Sequence, residues 1–493
     1  MALTRSWIVS VLAISSAARA GASPDAHATV AAALDAMGGE AKLRAIKSVY
    51  LKRDGWWNSV EYSPRPEPPW RVDFDRVEEW LDFEHGAWRS RAEVLDPATG
   101  DSTAFELIAD GSASAIASDG QVIAGGPVFL GDAAERLLYQ PFRLALAAAD
   151  AADLRAAGDE VVAGAPQHVV AFHRGAWPVK LWIDARTHRL TAAEVVHTLP
   201  DDYYWRVRGD VRDRLEFEQW ALDPSGVWLA RQVSQTRNGI PYHDYVVRVT
   251  RLGGVAPGAI GISDAVRADF RDKSRGPGST PVSMEQPIEQ LAPGIWIAPA
   301  RWNALLVAQP TGAVMIDAPI SEVYSGRMLD ECRKRFGAPP VQAILTDHLI
   351  PHLSGVRELV ARGVPVRALD ENLPFIQSLL AAPHTLAPDA LAKRHATAKL
   401  SGFGARTAIG SGASRFELIP MRTTLGARVA LVWFPEPRLL WISGALTDPQ
   451  PGQPLDASRL AELREVVARE HLNVDKVVGS HFGPADWSSV PAM

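Results

Sequence analysis

The chain has 493 residues, of which 47% are hydrophobic and 22% charged, a globular balance long enough for two or three domains. Its formal net charge of -6 argues against nucleic acid as a partner, because phosphates demand a basic face. With Cys332 as its single cysteine it has no internal disulfide and no thiolate cluster, so any metal must be held by histidine and carboxylate.

The first twenty residues, MALTRSWIVSVLAISSAARA, place Arg5 ahead of the apolar run Trp7 to Ile14 and close on Ala18-Arg19-Ala20, the small-x-small pattern of a signal peptidase site. Residues 1–20 read as a cleaved secretory signal, since an anchor takes about 20 apolar residues and this run is shorter. Cleavage removes Arg5 and Arg19 and no acid, which moves the net charge from -6 to -8. No later segment is apolar over a spanning length. The mature chain is therefore expected to be secreted, periplasmic and without a membrane span.

After the signal, Asp25 is placed to cap a helix over AHATVAAALDAM, which Gly38-Gly39 stops, and a short helix EAKLRAI follows. From Ser48 to about Leu252 the pattern alternates with period two between Asp-Gly, Asn-Gly and Pro-Ser-Gly turns, as in antiparallel hairpins. Ala133 to Ala157 is rich in Ala and Leu and reads as helix. Trp56, Trp57, Trp70, Trp80 and Trp88 crowd this half; strand packing accounts for them, and a concave sheet lined with indoles would also suit an apolar ligand. Asp201, Asp202, Tyr203 and Tyr204 form a polar, aromatic loop. ALDAMGGEAKLRAIKSVYLK, LWIDARTHRL and LDPSGVWLARQV together resemble the outer-membrane lipoprotein carrier family. That resemblance implies a curved antiparallel sheet wrapping helices around an apolar cavity.

Residues 271–287, RDKSRGPGSTPVSMEQP, are rich in Gly, Pro and Ser and read as a linker between residues 21–270 and 288–493. Beyond it, IWIAPA and NALLVAQPTGAVMIDAP read as strands. SEVYSGRMLDECRKRF reads as a helix that buries Cys332, and strand VQAILT, helix SGVRELVARG, strand VPVRAL and helix NLPFIQSLLAA follow. A Pro/Ala/Gly-rich stretch leads to strand FELIPM, the hairpin ARVALVWFPEPRLLWISGAL, a helix capped by Asp456, and a last strand DKVVGSH. The fold class is α+β.

Between strand and helix lies ILTDHLIPHLSGVREL, residues 344–359. Its shape resembles the metal-binding turn of the metallo-β-lactamase superfamily, T-H-x-H-x-D-H-x-G-G, and the element order around it resembles that superfamily's four-layer αββα sandwich. The resemblance implies two metal ions about 3.5 to 4 Å apart that activate a shared hydroxide. Laid on Thr346, however, the motif puts Asp347 at the first histidine, Leu349 at the second and Pro351 at the aspartate; only His352 stands in place. Leu425 falls at a further histidine and Ala445 at the bridging aspartate. His481, in VVGSHFGP, keeps the closing histidine. Asp317, in MIDAP, is implied as a residue that orients a ligand histidine from behind.

His352 and His481 belong to the same metal pocket of the family and should face one another. With Asp347 or His348 they would make a three-ligand site for one zinc ion and a water. The alternative is no metal, each histidine being packed or satisfied by a carbonyl. His384 and His395 fall in the irregular segment and are expected at the surface. Arg422 and Arg428, near the missing ligand, read as surface charges or as an anion site. Nucleophile-elbow and phosphate-loop motifs are absent.

The sequence therefore implies a divergent, hydrolase-like protein with at most one metal ion. The alternative is a noncatalytic envelope protein that binds a small, apolar or lipid-like molecule; a third class, an envelope scaffold, would act through exposed faces.

Overall fold

The computed structural model describes residues 25–97, 100–118, 120–256, 258–271, 287–300, 302–422, 426–448 and 455–491. The secretory signal, all but the ends of the linker, and Leu425 lie outside the described residues. The described chain is mixed α+β and rich in sheet.

Helix Ala26–Met37 buries Ala26, Val30, Ala33, Leu34 and Met37, a helical stripe. No Asp25 side-chain cap forms; instead Thr29 Oγ1 donates to the Asp25 carbonyl. The helix stops at Gly38, whose φ of 132° and whose 2.8 Å approach to the Gly226 carbonyl at the place of a Cβ leave room only for glycine.

Thirteen strands form one antiparallel sheet. The first strand, Ser48–Asn58, sits mid-sheet between Val72–Asp82 and the last strand, Ile240–Leu252. The chain therefore runs out to one edge at Gln121–Ala124, crosses, and returns from the other edge at Arg155–Val162. Strand Asp210–Leu222 shows the pleat: Val211, Asp213, Leu215 and Phe217 point inward while Arg212, Glu216 and Glu218 face out. The crossing corrects the single helix expected over Ala133 to Ala157. Two helices, Val128–Leu138 and Pro141–Ala149, are parted at Gln140-Pro141, where proline starts the second, and Arg155 already belongs to a strand. Both pack on the core of this sheet through Leu138, Phe142, Leu144 and Ala145.

The second half holds a seven-stranded and a six-stranded sheet. The seven-stranded sheet is antiparallel up to Val314–Ile316 and then parallel through Gln342–Leu345, Val366–Leu369 and Leu400–Phe403. The six-stranded sheet holds the hairpin of Val429–Phe434 and Leu439–Trp441, with Lys476–Gly479 parallel to the latter. One apolar cluster, including Leu305, Ile316, Ile344, Phe416, Val432 and Trp441, fills the space between the sheets. A second joins the seven-stranded sheet to Tyr324, Met328, Leu329 and buried Cys332 of helix Glu322–Phe336. A third joins the six-stranded sheet to Leu460, Leu463 and Val467 of helix Ala457–Arg469, whose Asp456 cap accepts from Arg459 N at 3.0 Å. The irregular stretch before Phe416 is more ordered than expected, since it supplies a strand to each sheet, Leu400–Phe403 and Thr407–Ile409.

The halves are joined by polar contacts. Asp210 accepts from the backbone N–H groups of Thr385 and Leu386 at 3.0 Å each. Arg206 pairs with Glu322, and Arg428 with Glu67 at 2.9 Å. Arg428 is therefore spent on a carboxylate, and Arg422 on Glu371. His384 is not at the surface: its side chain is 6% exposed and packs on Gly209, while His395 is exposed as expected.

Candidate functional site

The parallel strands Val314–Ile316 and Gln342–Leu345 end side by side, and ligand sites in such sheets lie beyond the carboxyl ends of the strands. Asp317 leaves the first and Thr346 to His352 leave the second. From the facing sheet, Ser443 follows Leu439–Trp441 and His481 follows Lys476–Gly479.

These residues form one buried chain of polar contacts. Asp317 accepts from the Thr346 backbone N–H at 2.7 Å and from Thr346 Oγ1. Thr346 Oγ1 is also 2.7 Å from Ser443 Oγ, and Ser443 Oγ donates to Asp347 Oδ2 at 2.9 Å. The same Asp347 oxygen takes His352 Nδ1 at 2.5 Å, and His352 Nε2 lies 3.0 Å from His481 Nε2. Asp317, Ile320 and Ser443 all have φ between 50° and 63°, a left-handed conformation that non-glycine residues adopt at a cost and that gathers at functional sites.

Burial opposes ionisation of Asp347, but the His352 ring and the hydrogen bonds outweigh it and hold this carboxyl below its usual value. Burial likewise opposes charge on His352, and Asp347 outweighs it and raises that imidazole. Asp317 is pushed up by burial and by the charge of Asp347. Asp347 and His352 thus each favour the charged form of the other, above a carboxyl that keeps its proton more readily than an ordinary aspartate.

Of the residues singled out by sequence, the fold brings His352 and His481 together and gives the other three different places. Asp347 holds the opposite nitrogen of His352 and so orients the ring. His348 turns away and donates from Nε2 to the Ser63 carbonyl at 3.0 Å. Asp317 holds Thr346 and bonds no histidine, so the orienting place expected for Asp317 is taken by Asp347. No pattern in the sequence marks the parts that Ser443, Thr346 and Gly444 play. At Gly444 a Cβ would stand 2.7 Å from His352 Cε1, so the backbone there is the wall against which the ring is set.

The histidine pair opens into a cleft of about 770 Å³. Leu349 and Pro351 line it where the family motif would place ligands, and Ala445 is buried. Glu61 and Tyr62 of the first half line it too. An aromatic series leads from the pair to the first half: His481 to Trp302 at 5.6 Å, Trp302 to Tyr203 at 5.2 Å, Tyr203 to Tyr204 at 4.1 Å and Tyr204 to Tyr62 at 5.6 Å between ring centres. The loop Asp201 to Tyr204 is thus part of the contact between the halves. Tyr62 also borders a second cavity, of about 610 Å³, in the first half, lined in part by Trp57 and Trp88.

The donor set cannot hold two ions, and for one it offers two imidazole nitrogens and not the three donors expected with Asp347 or His348, which bond elsewhere. With His352 Nδ1 committed to Asp347, its Nε2 faces His481 Nε2 across a gap that one proton or one cation can bridge, and a carboxylate behind a ligand histidine is the usual support of a metal site. No third donor converges there among the described residues. A separate buried trio, Glu135, His197 and Asp213, brings ligand atoms within 4.8 Å of one another and could hold a metal ion. There Arg237 already donates to Asp213 at 2.8 Å and to Glu135 at 2.7 Å. No sequence motif marks the trio, whose members come from a helix and two strands.

No family model matches the chain, and no curated protein matches it. Over 41% of its length it is similar to the solved structures of a metallo-β-lactamase from Pontibacter korlensis (18% identity, 94% of that chain, TM-score 0.32). It is similar over the same share to TMB-1 (16% identity, 93% of that chain, TM-score 0.32) and to the metallo-β-lactamase DIM-1 (15% identity, 92% of that chain, TM-score 0.30).

Proposed function

We propose that residues 288–493 are a divergent metallo-β-lactamase-type αββα sandwich, hydrolase-like, which holds at most one metal ion between His352 and His481. The observation that carries this reading is the 3.0 Å approach of the two Nε2 atoms at the floor of an open cleft, with the other nitrogen of His352 fixed by Asp347. A bound zinc would polarise a carbonyl or activate a water. The chain's own part is to fix the His352 tautomer, to present His481, and to shape the cleft with Leu349, Pro351, Trp302 and Tyr62. In the absence of an ion the two Nε2 atoms share a proton, and metal and proton then compete for the same place. The test is a panel of lactam, ester, thioester and phosphodiester substrates against the wild type and the His352→Ala, His481→Ala double variant. With two-metal chemistry foreclosed by Leu349, Pro351 and Ala445, turnover of β-lactams and simple thioesters should be small or nil. Any turnover should vanish in the double variant; turnover unchanged in it refutes the assignment.

A second reading is carried by the 610 Å³ cavity in the first half. In it residues 21–270 form a lipoprotein-carrier-like domain, and the secreted protein binds an apolar or lipid-like ligand without catalysis. Absence of turnover across the panel, together with binding at that cavity, would favour it.

A further inference from the structure

The cavity in the thirteen-stranded sheet has a mixed lining. Val77, Trp88, Ala92, Leu107 and Phe129 give it apolar surface. Charged groups stand among them, Asp75 two residues from Val77 on one strand and Asp132 one turn from Phe129 on one helix, and their pairing is incomplete. Arg53 is answered by Asp75 at 2.7 Å and Glu79 at 3.2 Å, and Arg136 by Glu79 at 3.6 Å. Asp132 lines the same cavity and forms no ion pair or hydrogen bond with the described residues. One helical turn on, Glu135 Oε2 accepts from Arg237, while its Oε1 is buried without a hydrogen-bond partner, 3.8 Å from His197 Nε2. Trp57 Nε1, Asp75 Oδ1 and Gln235 Nε2, all on the cavity wall, are likewise buried and unpartnered. Buried polar atoms are nearly always paired in folded proteins, so these four, two N–H donors and two carboxylate acceptors, beside the Asp132 carboxyl point to a polar group brought in from outside. The unmatched charge is negative. The group that fits it is positive, and an ammonium, with three donors, matches the two Asp132 oxygens and Glu135 Oε1.

We propose that this cavity binds a primary-amine amphiphile, its ammonium held between Asp132 and Glu135 and its alkyl chain against Trp88, Leu107 and Phe129. The inference deepens the ligand-binding reading above and rests on it. An ammonium there would keep Asp132 ionised, whereas a fatty carboxylate would meet two carboxyl groups and an alcohol would leave the charge unanswered.

The experiment titrates the full chain at pH 7.5 with dodecylamine, dodecanol and dodecanoate below their micellar concentrations, read by the fluorescence of the lining tryptophans and by calorimetry. Dodecylamine should bind about tenfold or more tighter than dodecanol, as one charge-assisted contact predicts, with dodecanoate weakest. In Asp132→Asn the advantage of dodecylamine over dodecanol should collapse. Leu107→Trp, which fills the apolar part of the lining without touching Asp132, should weaken both. Equal affinity for the three probes, or an amine preference that survives in Asp132→Asn, overturns the ammonium assignment and leaves a ligand cavity standing. Failure of all three to bind the wild type overturns the cavity as a ligand site and the inference with it.

Discussion

The Nε2 atoms of His352 and His481 lie 3.0 Å apart, although the two residues follow strands of different sheets. The contact therefore exists only when both sheets are formed and stacked. Asp347 fixes one side of His352, Gly444 limits its ring edge, and His481 is the group it meets.

Gly444→Ala tests that setting. The added methyl would stand 2.7 Å from Cε1 of the buried His352 ring. We expect a loss of about 1–3 kcal/mol in urea unfolding, the usual cost of overpacking, and an altered His352 resonance in the NMR spectrum. A variant as stable as the wild type with an unchanged resonance would contradict the packing described.

Arg237→Ala tests the buried trio. Arg237 is 2% exposed and is the cation that Asp213 and Glu135 share. Removing it strands two buried carboxylates and should cost about 3–5 kcal/mol. Because Glu135, His197 and Asp213 then lack their cation, added zinc should recover part of the loss in the variant and do little to the wild type. Zinc stabilisation of the wild type of equal size would show that the trio already accepts metal beside the arginine.

Asp132 offers a pH test. Burial, then the charges of Glu135 and Asp202, push its carboxyl up to about 7, against about 3.9 in an unfolded chain. Between those values the folded chain holds a proton that the unfolded chain has released, so Asp132 erodes stability as pH rises through the window and does so fully above it. Asp132→Asn should therefore gain about 1–3 kcal/mol at pH 8 and nothing at pH 4, as measured by urea midpoints. A gain of the same size at pH 4, or a loss at pH 8, would contradict the unpartnered state of this carboxyl.

Much of the element order was legible because it rests on local pattern. Strands such as Val429–Phe434 and the Asp456-capped helix follow from periodicity and capping, which neighbours in sequence decide. The break at Gln140-Pro141 was written in the proline but hidden by a run of alanines that reads as uninterrupted helix. At the site, the resemblance of ILTDHLIPHLSGVREL and VVGSHFGP to a known metal-binding motif brought out His352 and His481. It could not show that Asp347 and Asp317 divide their roles as they do, since those depend on Ser443 and Thr346 meeting across two sheets. The lining around Asp132 is likewise invisible in sequence: Asp132, Trp57, Asp75 and Gln235 share no local motif and meet only when the sheet folds over its helix.

The most direct test of the proposed function is the metal content of the purified full chain after equilibration with excess zinc and desalting. It should be measured by elemental analysis for the wild type and for the His352→Ala, His481→Ala double variant. We predict no more than one ion per chain, and that any ion bound by the wild type is lost in the double variant. Two tightly held ions per chain, or one that persists without both histidines, would contradict the assignment.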